Sequence, residues 1–323
     1  MTDMNNSSIN VTLSDKGEEA SAKKTIEKLN EGKKKIKKPF SWSKFFVYFV
    51  LILQALLILV PFYIMLISSF KTDEELLGVH FTWFPTKGFD FSGYKHAFDF
   101  SVSEQLGNVL IGFWNTMWTT VPTLVIGVIA SGLSAYAYAK INFKGKGVFF
   151  GFTLFMMLVP GTVMIIPTYF MYKSIGWVGT PWPLVIPGLF GSAGMVFFLT
   201  QYMRGVPNEI FEAAEVDGLS RFGAFWRIML PISVPAFIAQ FILGFIGSYN
   251  SYLGPSLYLK GQPLMYTLQV VLRNIAGGEA GSVAVRRNMA GSLIAIVPLV
   301  ILLFSRTKLS TAYPFRDLAN NNL

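Results

Sequence analysis

The chain has 323 residues, of which 52% are hydrophobic and 14% charged, and its mean hydropathy is +0.48; an ordinary soluble domain carries about 25% charged residues. This composition argues against a pair of soluble domains. The lack of cysteine excludes a disulfide framework, a thiol nucleophile and a lipid-modified cysteine.

The net charge is +9, and a dense run of lysines sits at the start of the chain. Residues 1–40 are polar and carry Lys23, Lys24, Lys28, Lys33, Lys34, Lys35, Lys37 and Lys38. They lack the apolar residues that form a core and are expected to be disordered. Such a segment anchors topology near anionic lipid. Nucleic acid is not expected as a partner, because no surface of interleaved basic and aromatic residues follows. The apolar run after it is too long for the core of a leader peptide, and no small-residue cleavage site follows, so no leader is expected to be removed.

Six apolar segments, near 46–69, 109–139, 148–172, 182–202, 233–256 and 284–305, are each long enough to cross a hydrocarbon core of about 30 Å. The expected fold is all-α and polytopic, with a membrane domain over 41–305 and a tail over 306–323. Pro122, Pro160, Pro167, Pro187 and Pro298 interrupt the spans, as do Gly127, Gly132, Gly188, Gly191 and Gly194. Neighbouring helices or a wet cavity must then satisfy the freed backbone groups.

Between the fourth and fifth spans, residues 206–231 read VPNEIFEAAEVDGLSRFGAFWRIMLP. Pro207 suits the first turn of a helix, Glu209 and Glu212 fall at its positive end, and Gly218 suits the position just past its end. A helix over 207–217 follows from this. Ser220 suits the cap of a second helix, in which Phe222, Phe225, Trp226 and Met229 are spaced to share one apolar face; Pro231 is expected to end it. The first helix is too short to be stable alone in water. With Glu209, Glu212, Glu215 and Asp217 and no base, anionic lipid repels it. A groove on a partner protein is the expected dock, with Ala213 and Ala214 as a smooth patch.

The fifth span is unusually polar near its end: Gln240, Gly244, Gly247, Ser248 and Ser251 fall roughly on one stripe. Polar contacts between helices explain such a stripe. At the start of the sixth span, Arg286 and Arg287 are expected either to reach the outer headgroups or to attract an acidic sugar. With the N-terminus inside, nineteen of the 27 Lys and Arg residues fall on the inner side, so both termini and the 204–231 loop are expected in the cytoplasm.

The spacing Glu212-Ala213-Ala214, Gly218, Ile228, Leu230-Pro231 resembles in full the EAA motif of bacterial ABC-importer permeases. Arg204-Gly205-Val206-Pro207, Ser68-Ser69-Phe70-Lys71, Asn115-Thr116, Pro160 and Pro167 look like the sugar branch, more narrowly its MalG-like subunits; the resemblance covers roughly residues 45–305. It implies a type I importer permease in the bacterial cytoplasmic membrane, delivering carbohydrate, oligosaccharide in class. The implied partners are a second homologous permease, two cytoplasmic ABC ATPases and an extracytoplasmic solute-binding protein, besides the lipid bilayer. Glu209, Glu212, Ala213, Ala214, Asp217 and Gly218 then form a coupling helix seated on an ATPase. The polar stripe becomes a translocation path, with Asn250 and Tyr249 foremost and Gln240, Ser248 and Tyr252 beside them. ATP and Mg belong to the ATPases. This chain has no phosphate-binding G-x-x-x-x-G-K-[ST] sequence, and its two histidines, His80 and His96, form no cluster; no cofactor, metal or catalysis is expected of it. From Thr307 the tail departs from the Gly-rich close of the sugar branch. Glycerol phosphate or another small polar solute is the alternative cargo. A stand-alone secondary transporter is the alternative class, but it calls for intramembrane carboxylates, and the six spans hold none.

Overall fold

The computed structural model describes residues 42–98, 107–278 and 282–312; the basic segment 1–40 and the end of the tail lie outside them. Among the described residues every regular element is helical. The fold divides after Val60. Up to that point α1, Trp42–Ser68, is apolar on every side, with Phe45, Phe49, Leu53 and Leu57 exposed. A helix solvated by acyl chains needs that surface.

From Pro61 onward the elements are α2 (Asp73–Leu76), α3 (Ser92–Phe98), α4 (Val109–Lys140), α5 (Lys146–Leu158), α6 (Gly161–Ser174), α7 (Trp182–Leu189), α8 (Ala193–Arg204), α9 (Glu209–Val216), α10 (Arg221–Tyr249), α11 (Leu253–Tyr258), α12 (Leu268–Gly278) and α13 (Ser282–Ala312). Among the described residues five helical stretches, α1, α4, α7 taken with α8, α10 and α13, are long and apolar enough to cross a membrane, or six if α5 and α6 count as one bent span. α4 is the central post, packed on α7, α8, α10 and α12. Asn108 starts it by accepting from the amides of Leu110 and Ile111 at 2.8 and 3.3 Å, which satisfies two of its orphan N–H groups. α7 crosses α4 so closely that a Cβ on Gly127 would come within 2.2 Å of the Gly188 carbonyl oxygen. Only glycine fits there.

Pro160 interrupts the third span as expected, and the break is sharp: α5 and α6 meet at a bend of 97°. Pro160 forces Val159 into an extended conformation (φ −78°, ψ 114°), because its ring clashes with a helical predecessor. Pro231 does not end the second hairpin helix. A π-turn over Phe225–Met229 carries the helix through, with the Leu230 amide bonded to the Phe225 carbonyl five residues back, and α10 runs unbroken from Arg221 to Tyr249. The expected apolar face is also split, since Phe225 and Met229 are fully buried whereas Phe222 is 64% exposed. The fifth span then stops at Tyr249, and the residues beyond form the separate α11.

A further correction concerns Arg286. It does not reach outward. Its guanidinium is 4% exposed and is held by Asp73 at 2.6 Å and by Asp90. These two carboxylates neutralise the cation, so it is not free to attract an acidic sugar; Arg287 is 2% exposed. Beside this clamp, the Lys71 ammonium donates to the Thr82 carbonyl and lies 4.2 Å from the Phe81 ring centre, a cation–π contact. Glu75 accepts from the amides of Thr86 and Lys87 and from the Thr86 hydroxyl at 2.5 Å. The loop that precedes α4 is therefore tied to itself and to α13 by buried charge.

Two predictions follow from this loop. Arg286→Gln should lower stability by about 3 kcal/mol, the lower end for breaking a buried pair, because Asp73 is half exposed; the midpoint of thermal unfolding in detergent measures it, and adding Asp73→Asn with Asp90→Asn should restore part of the loss. The Thr86 bonds hold the Glu75 carboxyl below its ordinary pKa. A depressed folded-state pKa gives stability that is present above the unfolded value and is lost as pH falls through the folded one. Hydrogen exchange at the Thr86 and Lys87 amides should therefore lose protection on acidification, and Glu75→Gln should flatten that pH dependence.

Candidate functional site

The acidic hairpin begins two residues later than Pro207 suggests. Asn208 already has helical angles, and its carbonyl accepts from Phe211 and Glu212 at 2.9 and 3.0 Å. The end falls where the sequence places it. Gly218 has φ +81°, its amide bonds to Glu215 O at 3.0 Å, and the Leu219 amide bonds to Ala214 O at 2.9 Å. This double closure is a Schellman motif. Ser220 caps the next helix, accepting from the Gly223 amide at 3.1 Å.

Burial divides α9 into two faces. Ala214 is buried and Phe211 half-buried, so this side packs on the body. Glu209, Glu212, Ala213 and Val216 are exposed together on the other side, with Asp217 and Gly218 exposed at its end. The small patch pictured as Ala213 and Ala214 is thus split: Ala213 faces outward and Ala214 holds the hairpin down. Arg221 and Glu215, 3.8 Å apart, are both exposed, and such a pair adds little.

The hairpin is bolted to the end of α4. The Tyr136 ring lies 6.0 Å from Phe211 and 5.6 Å from Phe225. Lys140 donates to Asn208 Oδ1 at 2.7 Å and to the Val206 carbonyl, and sits 5.5 Å from the centre of the Phe211 ring. Tyr136 and Lys140 escaped the sequence reading. Their signal lies in a contact some seventy positions away along the chain, and no local spacing encodes it.

A second feature lies far up α4. A cavity of about 350 Å³ is lined from α4 by Thr116, Thr119, Thr120 and Thr123, from α7 by Pro183, Leu184, Pro187 and Gly188, and from the end of α10 and beyond by Gly247, Ser248, Ser251, Gly254, Pro255, Tyr258 and Thr267. Thr116 is twenty residues along α4 from Tyr136, about 30 Å at 1.5 Å per residue. Of the polar residues singled out in the fifth span, Ser248 and Ser251 line this cavity. Tyr249 is buried and donates to the Ala295 carbonyl at 2.7 Å; Asn250 bonds back to the Ile246 carbonyl at 2.9 Å. Gln240 is buried away from the cavity lining, and Tyr252 is 40% exposed. The threonines were legible and missed: 116, 119, 120 and 123 repeat at i, i+3, i+4 and i+7, a polar stripe on an apolar helix. Asn115 and Thr116 also tie α4 to the segment on either side of Thr267. Asn115 donates to Leu264 O at 2.8 Å, and the Thr116 hydroxyl accepts from the Leu268 amide at 2.9 Å.

Residues 124–312, more than half of the chain, match the family of binding-protein-dependent transport system inner membrane components. The arabinooligosaccharides transport system permease protein AraQ of Halalkalibacterium halodurans is 28% identical over 75% of this chain and 84% of its own length. A probable starch degradation products transport system permease protein, AmyC of Thermoanaerobacterium thermosulfurigenes, is 33% identical over 84% of this chain and 95% of its own. The fold is that of a chain in the crystal structure of a bacterial ABC transporter involved in the import of the acidic polysaccharide alginate. The TM-score is 0.68 at 21% identity, over 84% of this chain and 99% of that one.

Replacing Gly218 tests the closure of α9. A Cβ there meets no atom within 4 Å, so the cost is the left-handed backbone alone, about 1–2 kcal/mol. Gly218→Ala should speed hydrogen exchange at the amides of residues 218 and 219 by about 5–30-fold; Gly218→Asn, which tolerates this region, should fall between the two.

Proposed function

This chain belongs to the family of binding-protein-dependent transport system inner membrane components, and we propose that it is one of two homologous permease subunits of an ATP-driven importer of carbohydrate, oligosaccharide in class. It is a multi-pass inner membrane protein and a transport subunit rather than a catalytic one. In this reading a solute-binding protein delivers the cargo at the end of α4 near Asn108. Two ABC ATPases, which hold the ATP and Mg, dock at the other end, where both termini also lie, in the cytoplasm.

The observation that carries the reading is the build of the hairpin. α9 is closed at its C-terminal end by the turn at Gly218, held to α4 on one side, and turns an exposed face of Glu209, Glu212, Ala213 and Val216 away from the body. A short acidic helix with no exposed base on that face is stabilised by a basic or apolar groove. Because α10 is continuous with the hairpin, a displacement of α9 moves a spanning helix directly. The carbohydrate class rests on the relatives that carry oligosaccharides or starch products.

An affinity tag on this chain should co-purify a second permease and an ATPase. Glu212→Lys, which reverses charge on the exposed face, should lower ATPase recovery about tenfold, the effect of 1.4 kcal/mol, while the second permease is retained. Unchanged ATPase recovery would refute the docking role. In the intact strain, deletion of this chain should abolish uptake of labelled oligosaccharide, and uptake that persists for every oligosaccharide tested would refute the cargo class. A cysteine at Ser220 in this cysteine-free chain should react with an impermeant maleimide only from the cytoplasm, and one at Gly88 only from outside.

A further inference from the structure

We infer that the loop between α1 and α3 is a plate seated in the membrane interface: its exposed rings lie at the boundary of headgroups and acyl chains beside the end of α1, and the partner they fit is lipid. Leu77, Phe81, Trp83, Phe84, Phe89 and Phe91 are all exposed. Single exposed apolar residues are ordinary, whereas a contiguous patch of them marks a docking surface or a membrane. These rings are contiguous. Phe81 and Trp83 have centroids 5.3 Å apart, and Phe70 lies 5.3 Å from Phe91 and 6.0 Å from Phe89.

The polarity of the loop is inverted. Lys71 is 2% exposed and Glu75 9%, and Asp73 and Asp90 serve the buried Arg286. In water the opposite arrangement is favoured: charged side chains stay at the surface and large apolar ones gain by leaving it. A loop that hides Lys71 and Glu75 and shows its rings is matched to an apolar surrounding. The exposed ion pair of Lys87 and Glu74 marks the edge that turns to water.

Depth identifies the surrounding. No charged residue lies between Lys44 and Lys71, and a hydrocarbon core of about 30 Å takes about 20 residues of helix. The last turns of α1 therefore fall at the edge of the core. Tyr63 belongs to these turns. Its ring stacks on Trp83 at 6.4 Å and meets Phe84 edge-on at 6.1 Å, and its hydroxyl donates to the Trp83 carbonyl at 2.8 Å. The chain thus leaves α1 at Ser68 and folds back along the helix to the level of Tyr63, about 7.5 Å at 1.5 Å per residue. That return brings Trp83 and Phe84 to the edge of the core, where aromatic side chains place the ring among acyl chains and any polar atom among headgroups. Because the same loop clamps Arg286, seating the plate also fixes the depth at which α13 begins.

The test uses the full chain, purified with the subunits that accompany it and reconstituted in vesicles of phosphatidylethanolamine and phosphatidylglycerol. The chain has no cysteine, so Phe84→Cys and Lys87→Cys each accept one nitroxide, and the same preparation without the engineered cysteine gives the background. Lys87→Cys breaks only an exposed ion pair, which adds little. An unchanged thermal midpoint in detergent checks that each variant is folded; should Phe84→Cys melt early, Phe81→Cys on the same plate is read instead. Collisional relaxation of the nitroxide is measured with oxygen, which concentrates in lipid, and with a neutral nickel chelate, which stays in water and is present on both faces. The nitroxide on the plate should be relaxed by oxygen and lose relaxation by the chelate, and the nitroxide at position 87 should show the reverse. Chelate relaxation on the plate as strong as at position 87 would put the rings in water and overturn the inference. Weak relaxation on the plate by both reagents would mean that protein covers it, the second permease or a solute-binding protein, and would overturn the lipid assignment equally.

Discussion

Where α4 ends, three rings meet. Tyr136 lies between Phe211 on α9 and Phe225 at the start of α10, with centroids 6.0 and 5.6 Å away, and Lys140 adds its bonds to Val206 and Asn208 one turn further on. The contact joins the central helix to both arms of the hairpin at one point. An eight-residue helix has too few internal bonds to persist on its own; this apolar junction, together with Met203, Val206 and Met229 in the same core, supplies what α9 lacks. The exposed acidic face can then be presented without being needed for folding.

The same region shows why the prolines of this chain do not act alike. Pro160 gives a sharp bend because nothing compensates for the clash with Val159, and the helix restarts in another direction. Pro231 leaves α10 intact because the π-turn has already widened the helix by one residue, and a missing N–H near that turn is absorbed. The outcome is mechanical. One break makes α5 and α6 independent segments, while the absence of the other makes the second arm of the hairpin and the span one rod.

Much of this was written locally. Apolar run length gave the spans, and Gly218 and Ser220 marked a helix stop and a helix start that the hydrogen bonds reproduce. What local pattern did not carry were relations between distant segments. The burial of Ala214 rather than its exposure depends on which side of α9 meets α4. The engagement of Arg286 depends on carboxylates near the other end of the chain, so a rule that counts charges per loop could not see it. Tyr249 reads as a polar residue of the fifth span, yet its hydroxyl serves the backbone of α13. The four threonines of α4 were different: their period was visible, and apolar composition drew attention away from it.

The clamp at Arg286 also bears on the order in which the chain becomes whole. Asp90 and its arginine are separated by 196 positions along the chain. The carboxylates of α2 and its loop are made early, beside the first span, and their cation arrives only with the last. Until α13 is inserted, that loop carries two unmatched negative charges and a groove with no backbone to fill it at Gly93, whose Cβ position lies 3.0 Å from the Arg286 carbonyl. A chain that stops short of its final helix therefore lacks the cation that matches Asp73 and Asp90.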